Sequence, residues 1–130
     1  MSEISLELEF NTHDGITVGT ITHTQMLDGT NVASFGAQAL AYVEEHPNPK
    51  LIINFENINY MSSAGLTELL RINEALKPDG EPVHLWGLNN DIYNVFRITN
   101  LDKMFTIHND DTIDSACSSF KETVQPGSGI

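Results

Sequence analysis

Residues 50–55 read Lys-Leu-Ile-Ile-Asn-Phe, a nearly continuous apolar run. A strand with one wet face alternates apolar and polar residues. A run apolar at successive positions is the signature of a strand covered on both faces. Helical patterns flank this run on either side, so it predicts a central parallel strand. On the upstream side, Val32, Phe35, Ala39, Leu40 and Val43 fall at offsets 0, 3, 7, 8 and 11, one stripe of a helix, which His46-Pro47-Asn48-Pro49 ends. Downstream, Leu66, Leu69, Leu70, Asn73 and Leu76 form a second stripe, closed by Lys77-Pro78-Asp79-Gly80.

The remaining elements follow the same two periods. Leu6-Glu7-Leu8-Glu9-Phe10 alternates as a half-exposed strand, His13-Asp14-Gly15 supplies a turn, and Ile16 to Thr22 is a β-branched second strand paired antiparallel with the first. Pro82 to Trp86 is a strand ended by Gly87. Ile92, Val95 and Phe96 mark a third helix, and Phe105-Thr106-Ile107 a short strand. Ile113, Ala116, Cys117, Phe120 and Val124 mark a last helix, with Asp110 or Asp111 as its cap. The expected fold is α/β: a mostly parallel central sheet with an antiparallel N-terminal strand and about four helices. One domain over residues 1–124 is expected, with a flexible C-terminal tail over 125–130, where Pro126, Gly127 and Gly129 occur.

Charge narrows the function. Six Lys/Arg against eighteen Asp/Glu give a net charge of −12. Nucleic-acid affinity rests on neutralising phosphates with cations, so no nucleic-acid partner is expected, and an anionic membrane surface is disfavoured for the same reason. The single cysteine, Cys117, forms no internal disulfide and falls on an apolar stripe. Residues 1–5 lack a basic stretch leading into an apolar one, so no secretory signal is expected and a cytoplasmic location is the default.

The stretch richest in chemistry is Asn57-Ile58-Asn59-Tyr60-Met61-Ser62-Ser63-Ala64-Gly65-Leu66. A buried strand ends near Phe55 and a helix begins near Ser62 or Ser63, where two hydroxyls can cap free N–H groups of the first turn. Gly65 in that turn costs about 1 kcal/mol of helix propensity relative to Ala. A residue that weakens its own helix points to close approach of another group or of a ligand.

Residues 51–66 resemble the signature of STAS domains of the anti-sigma factor antagonist type, in which a hydrophobic strand leads into Asp-Ser/Thr-x-Gly-Leu. The resemblance continues through Val83-His84-Leu85-Trp86-Gly87-Leu88 and through Val95 to Phe105, and upstream Met26-Leu27-Asp28 is similar to the Leu-Asp pair before the family's first helix. It implies that Ser63 is the phosphoacceptor, Ala64 the free position, and Gly65 and Leu66 the Gly-Leu pair. Two positions depart from the pattern: Ser62 stands where the family usually has Asp, and Asn54 where Asp is common in the buried strand. Ser62 is therefore a second candidate acceptor, with Ser63 favoured by its spacing to Gly65.

The implied function is a non-enzymatic switch. Unphosphorylated protein would bind an anti-sigma factor serine kinase, releasing the sigma factor. The kinase would phosphorylate Ser63, and a metal-dependent serine phosphatase would reset the cycle. Partner contacts would come from Asp28, Asn54, Ser62, Ala64, Gly65 and Leu66. No cofactor and no metal would belong to this chain. A rival reading keeps the fold but makes it a STAS docking subunit of a transporter or lipid-trafficking complex. Enzymatic readings find less: His13, His23, His46, His84 and His108 show no metal-ligand spacing, and are expected as surface or half-buried structural residues. Ser-Ser-Ala-Gly is not the Gly-x-Ser-x-Gly elbow of hydrolases.

Overall fold

The computed structural model describes residues 6–46, 49–76 and 82–123. Seven strands and four helices follow in the order β1 (Glu7–His13), β2 (Ile16–Thr22), β3 (Met26–Leu27), α1 (Val32–Glu45), β4 (Leu51–Asn54), β5 (Tyr60–Met61), α2 (Ser63–Leu76), β6 (His84–Trp86), α3 (Asn90–Ile98), β7 (Thr106–His108) and α4 (Ile113–Thr123), with a 3-10 turn at Leu101–Lys103. Five strands form the main sheet in the order β1-β2-β4-β6-β7. The β1–β2 pair is antiparallel, and β2, β4, β6 and β7 are parallel to one another.

The central run explains the layers. Leu51 and Ile53 belong to a core shared with Phe35 and Ala39 of α1, Leu69 and Ile72 of α2, and Phe96 of α3. Ile52 points the other way, into a second core with Ile16 and Val18 of β2 and Ala116, Cys117 and Phe120 of α4. Successive side chains of a strand leave on opposite faces, so β4 must be apolar at every position when both faces are covered. Three helices cover one face and α4 covers the other.

Several boundaries differ from the sequence expectation, each for a local reason. Strand β1 runs on to His13, because its pairing with β2 continues to a two-residue turn of Asp14 and Gly15, both with positive φ. Strand β6 starts at His84 rather than Pro82: proline has no N–H to give, and the Val83 N–H donates to the Asn73 side chain at 2.8 Å. Strand β7 is Thr106–His108, one residue later than expected. Helix α4 is capped by Thr112, whose Oγ1 accepts from the Ser115 N–H at 3.1 Å, and not by Asp110 or Asp111. Val95 lies exposed beside the buried Ile92 and Phe96. The expected closing segment at 77–80, Pro47-Asn48 and the 125–130 tail lie outside the described residues.

Candidate functional site

A two-stranded ribbon that the periodicity did not reveal builds the site. Strands β3 and β5 pair in parallel, Met26 with Tyr60 and Leu27 with Met61. Leu27 is fully buried, whereas Met26 and Tyr60 face outward, 45% and 54% exposed. The Ser62 N–H donates to the Leu27 carbonyl at 3.0 Å, so the ribbon carries the Asp28 loop alongside the start of α2. Two distant stretches of sequence are thereby joined at one edge.

Asp28 organises its own loop. Its Oδ1 accepts from the Thr30 hydroxyl at 2.6 Å and the Thr30 N–H at 2.9 Å. Those two bonds, the hydroxyl first, hold the Asp28 carboxyl below the usual carboxylate range. Its carbonyl accepts from the Asn31 and Val32 N–H groups, which opens α1.

The two serines are placed differently. Ser63 is the first residue of α2 and is exposed. Ser62 precedes the helix, and its carbonyl accepts from the Gly65 and Leu66 N–H groups at 3.0 and 3.3 Å. The Ser62 Oγ is buried without a hydrogen-bond partner among the described residues, so this hydroxyl does not cap the helix. An enzyme can reach Ser63 directly. Ser62 Oγ is out of solvent.

Beneath this surface the packing is tight. Gly65 is buried, and a Cβ there would come within 2.6 Å of Met61 Cγ and 3.3 Å of Leu27 Cδ2. Helix α2 starts pressed onto the ribbon, which accounts for a glycine in its first turn. Further along, the buried Glu68 carboxylate lies over Gly36 of α1, in the space a side chain would fill, and pairs with Arg71 at 3.0 Å. Ala64 and Leu66 are half-buried. Asn54 is 5% exposed, with Oδ1 accepting from the Glu56 N–H at 2.9 Å and Nδ2 donating to Thr20 at 3.4 Å. Asn54 and Gly65 thus sit under the surface, whereas Asp28, Ser63, Ala64 and Leu66 reach it.

No Lys or Arg occurs in residues 1–49 or 51–70, so the edge carrying Asp28 and Ser63 has no cation from those stretches. The five histidines are all engaged elsewhere: His13 with Asp114, His23 with Glu7, His46 with the Tyr42 carbonyl, and His84 with His108. Neither serine therefore has a histidine base. His84 and His108 are 1% and 7% exposed, more deeply buried than the sequence expectation for them. Glu7, Glu9 and His23 gather their ligand atoms within 4.8 Å on the exposed side of the β1–β2 hairpin, a grouping with no sequence spacing to reveal it. No helix among the described residues is long and apolar enough to cross a membrane.

Comparison with known proteins agrees with this architecture. An anti-sigma factor antagonist (STAS) domain protein from Planctomyces limnophilus superposes with a TM-score of 0.77 at 19% identity, over 87% of this chain and 97% of that one. The Bacillus cell fate determinant SpoIIAA in its phosphorylated form superposes with a TM-score of 0.63 at 19% identity, over 88% and 98%. The murine anion transporter Slc26a9 contains a similar fold, with a TM-score of 0.59 at 13% identity, over 88% of this chain but 22% of the transporter. The STAS domain family model matches residues 7–116. With the alternating architecture and the α2 signature, that match shows that the chain belongs to the STAS domain family.

Proposed function

We propose that this STAS domain is an anti-sigma factor antagonist, switched by phosphorylation of Ser63. The observation that carries the reading is the contrast at the start of α2: Ser63 is exposed on the first helical turn, whereas the neighbouring Ser62 Oγ is buried. Ser63 is therefore the acceptor in this account, with Asp28, Ala64 and Leu66 in the contact surface. Asn54, Ser62 and Gly65 act from below by fixing the shape of that surface.

The physics of such a switch is direct. A small neutral hydroxyl enters a dry interface cheaply. Phosphorylation adds about −1.5 to −2 charges. Residues 51–70 offer no Lys or Arg to pair with it, and the first cation along α2, Arg71, is held by Glu68. Burying that charge in the same contact is costly. The domain itself tolerates the group, because a helix N-terminus presents free N–H groups and a favourable dipole to phosphate. A kinase bound here must also hold its phosphate donor against Ser63, so the modified product opposes the donor's own charge.

The partners in this reading are an anti-sigma factor serine kinase and a metal-dependent serine phosphatase, acting in the cytoplasm, with transcription as the output. ATP and metal belong to them, and this chain performs no catalysis. Incubation with the kinase and Mg·ATP, followed by mass spectrometry, tests the assignment: one phosphate on Ser63 in wild type and Ser62→Ala, and none in Ser63→Ala. Labelling of Ser62 would move the acceptor; no labelling would remove the switch. The similarity to part of the Slc26a9 transporter favours one alternative, a constitutive docking module in which Ser63 is never modified.

A further inference from the structure

Two histidines that the switch does not use lie beneath α4. His84 is on β6 and His108 on the neighbouring β7, and the register places Trp86, not His84, opposite His108. Their rings nevertheless meet, with His84 Nδ1 2.8 Å from His108 Nε2. That contact accommodates a single proton between the two nitrogens: one ring donates and the other accepts. The His84 ring stacks on Phe120 of α4 at 3.6 Å between centroids. Beyond His108 stands Asp110, with Oδ1 3.7 Å from His108 Nδ1. Asp110 is fixed in turn by the Ser119 hydroxyl of α4 at 2.9 Å and, through its carbonyl, by Trp86 Nε1 at 2.8 Å. A cavity of about 170 Å³ lined in part by Trp86, His108 and Asp110 lies at this end of the pair.

We propose that the His84–His108 pair is an acid-sensed latch: when both rings are protonated, α4 leaves the sheet while the face that carries Ser63 stays folded. The geometry demands it. With a proton on each facing nitrogen, two N–H groups point at one another across 2.8 Å, and the stack on Phe120 buries a cation. Relief comes by exposing the rings, and α4 is the element over them. The two cores are separate clusters, so loss of the one under α4 leaves the α1–α3 core in place.

The surrounding charges set the order of events. Asp110 is the carboxylate facing His108 and favours its charged form, so His108 takes the first proton and His84 the second. Facing the pair from α4 is Phe120, with Cys117 in the same core, its thiol pushed up by burial and therefore neutral; from β4 and β2 come the apolar Ile52, Ile16 and Val18. Among the described side chains of α4, the charged Asp114 and Lys121 point to the hairpin turn, Asp114 to His13 at 3.3 Å and Lys121 to Asp14 at 2.9 Å.

The sign follows from linkage. Burial, chiefly, pushes His84 down to about 3 and His108 below the usual histidine range. The docked state therefore favours neutral rings. Its stability is whole above the ordinary histidine value, about 6.5, and declines as pH falls below it toward the lowered values.

Amide hydrogen exchange of the full chain at pH 7.5, 6.0 and 5.0, corrected for intrinsic rates, tests the latch. Two protons taken up on opening give a loss of α4 protection approaching 100-fold per pH unit below about 6.5, since each proton contributes about tenfold. Protection of α2 changes less than about threefold over the same range. His108→Gln reduces the α4 slope to about tenfold per unit or less. The histidine Cε1–H shifts of the wild type give an independent reading should that variant fail to fold. Protection of α4 that is flat with pH, α2 lost in parallel with α4, or wild-type rings that titrate near 6.5 with α4 undisturbed would each overturn the latch.

Discussion

The start of α2 and the underside of α4 treat their polar groups in opposite ways. At the start of α2, on the larger face, the Ser62 hydroxyl is buried without a partner among the described residues, and Ser63 is exposed. Under α4, His84 bonds His108, Asp110 bonds Ser119, and Trp86 bonds the Asp110 carbonyl. An unsatisfied buried hydroxyl costs about 1–3 kcal/mol, whereas a satisfied network rigidifies its surroundings. The comparison teaches where a domain of this size places its contacts. In the proposed reading, the edge that carries Ser63 exchanges partners and presents an exposed hydroxyl, and the network under α4 holds that helix to the sheet until acid disturbs it.

The largest test of that division is Phe120→Ala. It removes a fully buried ring from the smaller core and is expected to cost about 3–5 kcal/mol in denaturant unfolding. Its effect on exchange protection should be concentrated in α4, and an equal loss at α2 would merge the two faces into one unit. Gly36→Ala comes next, at about 1–3 kcal/mol, because the new methyl group displaces the Glu68 side chain. Glu68→Ala should recover most of that loss in a double-mutant cycle; additive costs would break the assignment of the clash. The smallest effect has the opposite sign. Ser62→Ala removes an unsatisfied hydroxyl, so stability should stay level or rise by up to about 1 kcal/mol. A working helix cap would instead lose about 0.5–2 kcal/mol on the same change.

Much of the fold was legible because it rests on period. The run at residues 51–53 required cover on both faces, and the helical stripes supplied it. The ribbon of β3 and β5 was not, since two residues per strand are too few for any period to register. Thus the Ser63–Gly65 spacing was visible in the chain, but the position of Asp28 beside it came only from family resemblance. The serine doublet was ambiguous for a related reason. Either hydroxyl could have capped α2, and only tertiary packing shows Ser62 turned inward. His84 and His108 stand 24 residues apart on different strands, so no local pattern could have joined them. The cap of α4 went to Thr112 rather than the aspartates because Asp110 is engaged by Ser119 and Trp86.

The claim on which the functional reading rests is that one anion on Ser63 ends a contact. The direct measurement is the affinity of the anti-sigma factor serine kinase for the unmodified protein, the Ser63-phosphorylated protein and Ser63→Asp, by calorimetry at fixed salt. The account predicts binding weakened about 100-fold or more by the phosphate, equivalent to about 2.7 kcal/mol, with Ser63→Asp weakened in the same direction. Equal affinity for all three forms would contradict it.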